Sequence, residues 1–187
     1  MGMPQLTQTW DRPQVLALPD DGRRYELVHG DLLVSPSPTW RHQNAVTALV
    51  TRLRAWCDGH GIGVAMVSPA DLSFDGRQLL QPDVFVAPLI GGHRPATWSD
   101  VTVPLLVVEV LSPSTARYDR LVKRAFYQRN GVPEYWIVDL DARLVERWHP
   151  TDDRPEILTD QLAWQPDPGQ PPLIVDLAAL FAEIDDQ

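Results

Sequence analysis

The sequence predicts a mixed α/β protein: one central sheet with a helix on either side of its middle strands, preceded by a β-hairpin. Three observations carry that prediction. Two short apolar segments, Arg24 to Val28 and Asp31 to Val34, flank His29-Gly30 in a hairpin pattern. Two helical patterns follow, set among several short apolar runs. One of those runs, Pro104 to Leu111, is apolar almost throughout, as in a strand covered on both faces.

In the hairpin, Gly30 takes the positive-φ position and Glu26 lies on the first strand. From Thr39 the period changes. His42, Val46, Leu49, Leu53 and Trp56 recur at steps of four, three, four and three, which predicts a helix from about Trp40 to about Asp58, stopped by Gly59 and Gly61. Val64 to Ser68, Asp71 to Phe74 and Asp83 to Ala87 read as strands, with Pro82 where a missing N–H does least harm. Pro104 to Leu111 is the central strand, and its one charge is Glu109. Hydroxyls in Ser112-Pro113-Ser114-Thr115 and the stop Asn130-Gly131 bound a second helix of about four turns. Tyr135 to Val138 and Arg143 to Trp148 form a strand pair around the turn Asp139 to Ala142, and Val175 to Ile184 reads as a short amphipathic helix. Between them, prolines at 150, 155, 166, 168, 171 and 172 suggest surface loops around one short strand.

The length of 187 residues and 44% apolar content suit a single domain over 1–187, with a core at about 24–148 and a Pro-rich extension over 149–187. Cys57 is the only cysteine, which excludes an intramolecular disulfide and a Cys-based zinc cluster and fits a reducing, cytoplasmic location. Met1 to Asp11 show no basic start followed by an apolar core, and no apolar run approaches the ~20 residues of a membrane span. A secreted or membrane protein is therefore not expected. The net charge of −9 argues against a simple nucleic-acid-binding module, because the chain as a whole does not neutralise phosphates.

Asp83 and Glu109 are acids in apolar strands. An unpaired buried carboxylate costs several kcal/mol, so such groups face a cation, donors or water. Two on neighbouring strands repel unless a cation lies between them, and a hard ion with oxygen ligands, Mg²⁺ or Mn²⁺, is the simplest choice. Lys123, the single lysine beside 15 arginines, follows Glu109 on the next helix and shares a face with Asp119 and Tyr127. If that helix packs over the strand of Glu109, its ammonium comes to the metal site, where it can steer water or neutralise developing phosphate charge. Arg117, Arg120, Lys123, Arg124 and Arg129 form a basic patch beside the candidate site, the expected contact for nucleic acid.

The ordered series Tyr25 to Gly30, His42, Pro82-Asp83-Val84, Val108 to Thr115, Lys123 with Tyr127, and Gly131 to Asp139 resembles the Uma2 family of restriction-endonuclease-like proteins. The likeness spans about Tyr25 to Trp148. It implies a PD-(D/E)XK fold and Mg²⁺-dependent hydrolysis of phosphodiesters, with DNA the expected substrate. It implies Asp83 and Glu109 as metal ligands, with the carbonyl of Val110 as a further one. Leu111 stands where the superfamily places its strand lysine, and the resemblance assigns that role to Lys123 on the helix. Glu26 becomes a metal contact, direct or through water, and His42 an aid to proton transfer, while Asp119 and Tyr127 support the site.

Each residue also has a plainer reading. Asp83 can cap a loop after Pro82, Glu109 can form a structural salt bridge with Lys123, Glu26 can pair with a basic residue across the hairpin, and His42 can be a hydrogen-bonded core histidine. Trp136 and Trp148 are expected in the core or, as a pair, at a homodimer interface. Two other functions stay open beside the nuclease: a binding or scaffold protein that keeps the fold without catalysis, and a hydrolase of small phosphate esters.

Overall fold

A computed structural model describes residues 9–186, so most of the segment read above for an export signal lies outside the described residues. The hairpin pairs β1 (Arg24–Val28) with β2 (Asp31–Ser35). Its two-residue turn holds both His29 (φ +52°) and Gly30 (φ +86°) left-handed, the geometry that matches the strands' own twist. A short helix, α1 (Arg12–Leu16), precedes it. Asp11 and Gln14 cap this helix reciprocally, and Val15 packs against Leu27 and Leu79. Five residues are too few for a helical period to be visible in the sequence.

The helix α2 (Trp40–His60) starts where the Thr39 side chain accepts the His42 N–H and ends at Gly61 in the left-handed conformation. The main sheet runs in chain order: β3 (Gly63–Val67), β4 (Val84–Pro88), β5 (Leu106–Val110), β6 (Tyr135–Asp139), β7 (Leu144–Trp148), β8 (Glu156–Leu158). All neighbours are antiparallel except β5 and β6. A parallel pair needs a crossover, and the helical run 116–129 supplies it. That run is α3 (Ala116–Tyr118), a π-helical stretch Asp119–Lys123, and α4 (Arg124–Arg129). Its start is capped by backbone rather than by a hydroxyl: the Thr115 and Ala116 N–H groups donate to the Ser112 carbonyl.

Alternation along the strands separates two cores. Val84, Val86, Val108, Val110, Trp136 and Val138 face α2. Phe85, Val107, Tyr135 and Ile137 face the opposite way, towards Phe126, Tyr127 and Val28 of β1. Glu109 follows Val107 by two residues and so lies on this second face. Trp136 and Trp148 are both core residues.

Two expectations are corrected. Asp71 to Phe74 is no strand; only Leu72 pairs, with Leu80, in an isolated bridge. The region between Trp148 and the expected C-terminal helix is not loops around one strand: it supplies β8, β9 (Gln161–Trp164) and β10 (Leu173–Asp176), and α5 (Leu177–Asp185) follows as the helix expected over Val175 to Ile184. Leu162, Trp164, Val175, Leu180 and Phe181 join the α2-side core. The prolines fall between these elements and mask their patterns. Among the described residues no helix is long and apolar enough to cross a membrane.

Candidate active site

Period-2 alternation on β1 builds half of the site. Tyr25 and Leu27 turn to the small α1-side cluster, so Arg24, Glu26 and Val28 turn to the main sheet. Paired bonds between Leu27 and Leu79 dock the hairpin (2.7 and 3.0 Å), and two further contacts set its polar residues: the Gln81 N–H donates to Glu26 Oε1 (2.9 Å), and Arg24 Nη1 donates to the Gln81 carbonyl (3.0 Å).

Asp83 sits one residue before β4. Because Val84 pairs with Val108, Asp83 comes opposite Glu109 at the end of the ladder. Its carboxylate is fully engaged on one oxygen: Oδ2 accepts the Val110 N–H (2.8 Å) and meets His42 Nε2 at 3.1 Å. Oδ1 accepts Arg24 Nη1 at 2.7 Å. Burial alone would raise this carboxyl, but the hydrogen bond from His42 and the charge of Arg24 outweigh it and hold Asp83 well below the usual carboxylate range. Asp83, His42 and Arg24 line a cleft of about 920 Å³, together with Ser112, Thr115 and Arg120.

Glu109, Glu26 and Lys123 lie beneath that cleft, each 1% exposed. Lys123 Nζ is 2.9 Å from Glu109 Oε1 and 2.9 Å from Glu26 Oε2, and 3.5 Å from Asp119 Oδ1. The Glu109 contact is a directed hydrogen bond; the other two are ionic contacts outside hydrogen-bond geometry. Burial would lower the lysine, but the charges of Glu109, Glu26 and Asp119 raise it, so it stays an ammonium. Burial raises Glu109 and Asp119 against the opposing pull of Lys123, and the neighbouring carboxylates push the same way.

Buried carboxylates exceed buried cations here. Glu26, Asp83, Glu109 and Asp119 stand against Lys123 and the largely buried Arg24, a shortfall of two positive charges. Four buried polar atoms without a hydrogen-bond partner belong to this cluster: Glu26 Oε2, Asp119 Oδ1, and the hydroxyls of Tyr118 and Tyr127. Among the described residues no three His, Cys, Asp or Glu side chains group as metal ligands. Asp83 and Glu109 offer oxygen donors, and they are the residues that would hold a hard divalent ion taking its other ligands from water or phosphate.

The structure thus gathers Asp83, Glu109, Lys123, Glu26, His42, Asp119 and Tyr127 around the end of β4 and β5. Val110 is present through its N–H, on Asp83. Lys123 differs from the expectation of a residue that reaches water: it is sealed in the core between acids, and the salt bridge to Glu109 is real. The basic patch does not form as one surface either. Lys123 is internal, Arg120 is tied to Glu146 (2.6 Å) and Asp139 (3.0 Å), Arg124 lies over Trp148 (4.6 Å), and only Arg117 and Arg129 are exposed. Arg24 was not anticipated. Its signal was available in the i, i+2 relation to Glu26 on one strand face.

A model of the Uma2 family, described as "Putative restriction endonuclease", matches residues 12–179. No curated protein matches the sequence. Among solved structures, one described as "a putative nuclease belonging to DUF820", from Anabaena variabilis ATCC 29413, superposes with a TM-score of 0.72. It is 18% identical and the alignment covers 92% of this chain and 97% of that chain, a likeness of fold.

Proposed function

Because this chain belongs to the Uma2 family, we propose that it is a divalent-cation-dependent endonuclease that hydrolyses phosphodiester bonds of DNA, with Asp83 and Glu109 holding the cation. The single observation that carries this reading is the charge shortfall at the floor of the cleft: two acids side by side at the end of β4 and β5, in a cluster two positive charges short. Mg²⁺ or Mn²⁺ bound there would polarise the phosphate and lower the pKa of a bound water.

The protein's own residues prepare that position. The Val110 N–H and His42 orient Asp83, so that only Oδ1 keeps an unused lone pair. His42, with Nε2 against Asp83 and a buried Nδ1 without a hydrogen-bond partner, is the residue that would aid proton transfer. Lys123 is a positioning residue. Its raised pKa keeps it from acting as a base, and its 1% exposure keeps it from substrate; it holds Glu109 in place and offsets part of the acidic charge. Glu26 and Asp119 in turn hold Lys123.

A second reading, a binding protein with this fold and no catalysis, draws on the fact that Arg24 already faces Asp83 and Lys123 already faces Glu109. The test incubates the purified protein with supercoiled plasmid, and in parallel with RNA, in Mg²⁺ or Mn²⁺ with a chelator control. Cation-dependent nicking that disappears in Asp83→Asn and Glu109→Gln is expected. Cleavage that persists in both variants would sink the assignment, and no cleavage together with no Mn²⁺ binding would favour the second reading.

A further inference from the structure

We propose that Arg24 is the phosphate-binding residue of this site, and that its hold on Asp83 sets the affinity for the divalent cation. The inference rests on the nuclease reading above and adds Arg24 to its residues. Arg24 is anchored at one end only: Nη1 donates both to Asp83 Oδ1 (2.7 Å) and to the Gln81 carbonyl (3.0 Å). Nε lies 3.8 Å from Glu26 Oε2, beyond hydrogen-bond reach, and neither Nε nor Nη2 makes a hydrogen bond among the described residues. Three of the five guanidinium N–H groups are therefore free, two of them on the Nε–Nη2 edge that matches two oxygens of a phosphate. The side chain is 21% exposed and lines the 920 Å³ cleft beside Asp83.

The other three arginines of the cleft lack this combination. Arg41 is committed to Asp141, Asp185 and the Leu140 carbonyl, and Arg120 to Asp139 and Glu146. Arg23 is 62% exposed, with its Nε 3.6 Å from Asp21 and no side-chain hydrogen bond to hold it at the acids. Arg24 also occupies the one oxygen of Asp83 that a metal could use, since Val110 and His42 already take Oδ2. A divalent ion held by Asp83 would be repelled by the guanidinium on Oδ1. A bound phosphate would offset both positive charges, so substrate and cation should bind with mutual support.

The experiment measures two affinities that are predicted to move in opposite directions. Mn²⁺ binding to the free protein is followed by electron paramagnetic resonance, and binding of a short labelled DNA duplex by fluorescence anisotropy in chelator, where no cleavage occurs. Arg24→Gln, which keeps a donor for the Gln81 carbonyl, should bind Mn²⁺ roughly tenfold tighter, the effect of removing a like charge about 5 Å away in a water-like medium. The same variant should bind the duplex about tenfold more weakly, the scale of a lost charge-assisted bidentate contact. Arg24→Lys keeps the charge but not the fork, so Mn²⁺ affinity should stay near that of the wild type while duplex affinity falls. A merely structural arginine would weaken both or leave both unchanged, and either result overturns the proposal. If the wild type binds no Mn²⁺ at all, the nuclease reading fails and this proposal with it. If the wild type binds Mn²⁺ and Arg24→Gln binds it no tighter, only the role of Arg24 falls. Should Arg24→Gln not fold, unchanged duplex affinity in Arg24→Lys is enough to reject it.

Discussion

Replacing Lys123 with methionine should destabilise the protein strongly at neutral pH and only mildly in weak acid. Methionine fills nearly the same volume, so the perturbation is the removal of one charge from between Glu109 and Glu26, each 2.9 Å away, and Asp119 at 3.5 Å. At an effective dielectric of about 20, each of those contacts corresponds to roughly 5 to 6 kcal/mol of attraction. The loss cannot reach their sum, because a carboxyl can take up a proton instead. Protonating one glutamate, with an ordinary value of 4.5, costs about 4 kcal/mol at about pH 7.5 and about 1 kcal/mol at about pH 5.5. Those figures set the expected destabilisation, and the larger one agrees with the ~3–5 kcal/mol typical of breaking a buried ion pair. Urea unfolding of wild type and Lys123→Met at the two pH values reads the difference directly. A destabilisation below about 1 kcal/mol at the higher pH, or one that does not shrink in acid, would refute the picture of Lys123 as the counter-charge of a buried acid cluster.

Two further outcomes follow from the same geometry. Trp164, 1% exposed and tilted against Trp56 with ring centroids 5.2 Å apart, should cost about 3–5 kcal/mol on truncation to alanine; a thermal melt unchanged from the wild type would show that the C-terminal strands are an accessory rather than part of the core. For Asp83, whose folded value lies below the usual 3.8, the linked stability is present in full above 3.8 and is lost as pH falls from there through the lower folded value. The stability gap between wild type and Asp83→Asn should therefore be constant from about pH 7 to about pH 5 and narrow towards about pH 3, and a gap that holds steady or widens in that range would contradict the ion pairing with Arg24.

What the sequence made legible follows its periodicities. The hairpin, α2, the apolar strands and the crossover helix each carry a strong period or clear stop residues, and they occur within a few positions of expectation. The strands after Trp148 were obscured because the prolines there signal breaks more loudly than three- and four-residue strands signal pairing, although Gln161–Trp164 does alternate exposed and buried. Asp71 to Phe74 had strand composition but no neighbour with which to pair beyond Leu80. In the site, Glu109 was visible as a charge in an apolar strand, and the shared face of Asp119, Lys123 and Tyr127 was visible as helical spacing. The depth at which that face is buried was not, because flanking arginines made the segment look like a solvated surface. Arg120 and Arg124 instead turn away to acids and to Trp148, which frees the lysine for the interior.

The plain and the functional readings of the acids are consequently not rivals. A pair such as Glu109 and Lys123, maintained for stability alone, could be exchanged for apolar residues at little cost or even with gain. That argument applies with more force to four carboxylates set against two cations, since the surplus raises the pKa of Glu109 and Asp119 and leaves hydroxyls and carboxylate oxygens without hydrogen-bond partners. A core with that shortfall is poorly satisfied as it stands. Supplying two positive charges at the cleft floor would relieve the penalty on Glu109 and on the neighbouring Asp83 in one step. The salt bridge to Lys123 then holds Glu109 in place for a cation, and the cation should raise the protein's melting temperature more at neutral pH than in acid, where protons already meet the demand.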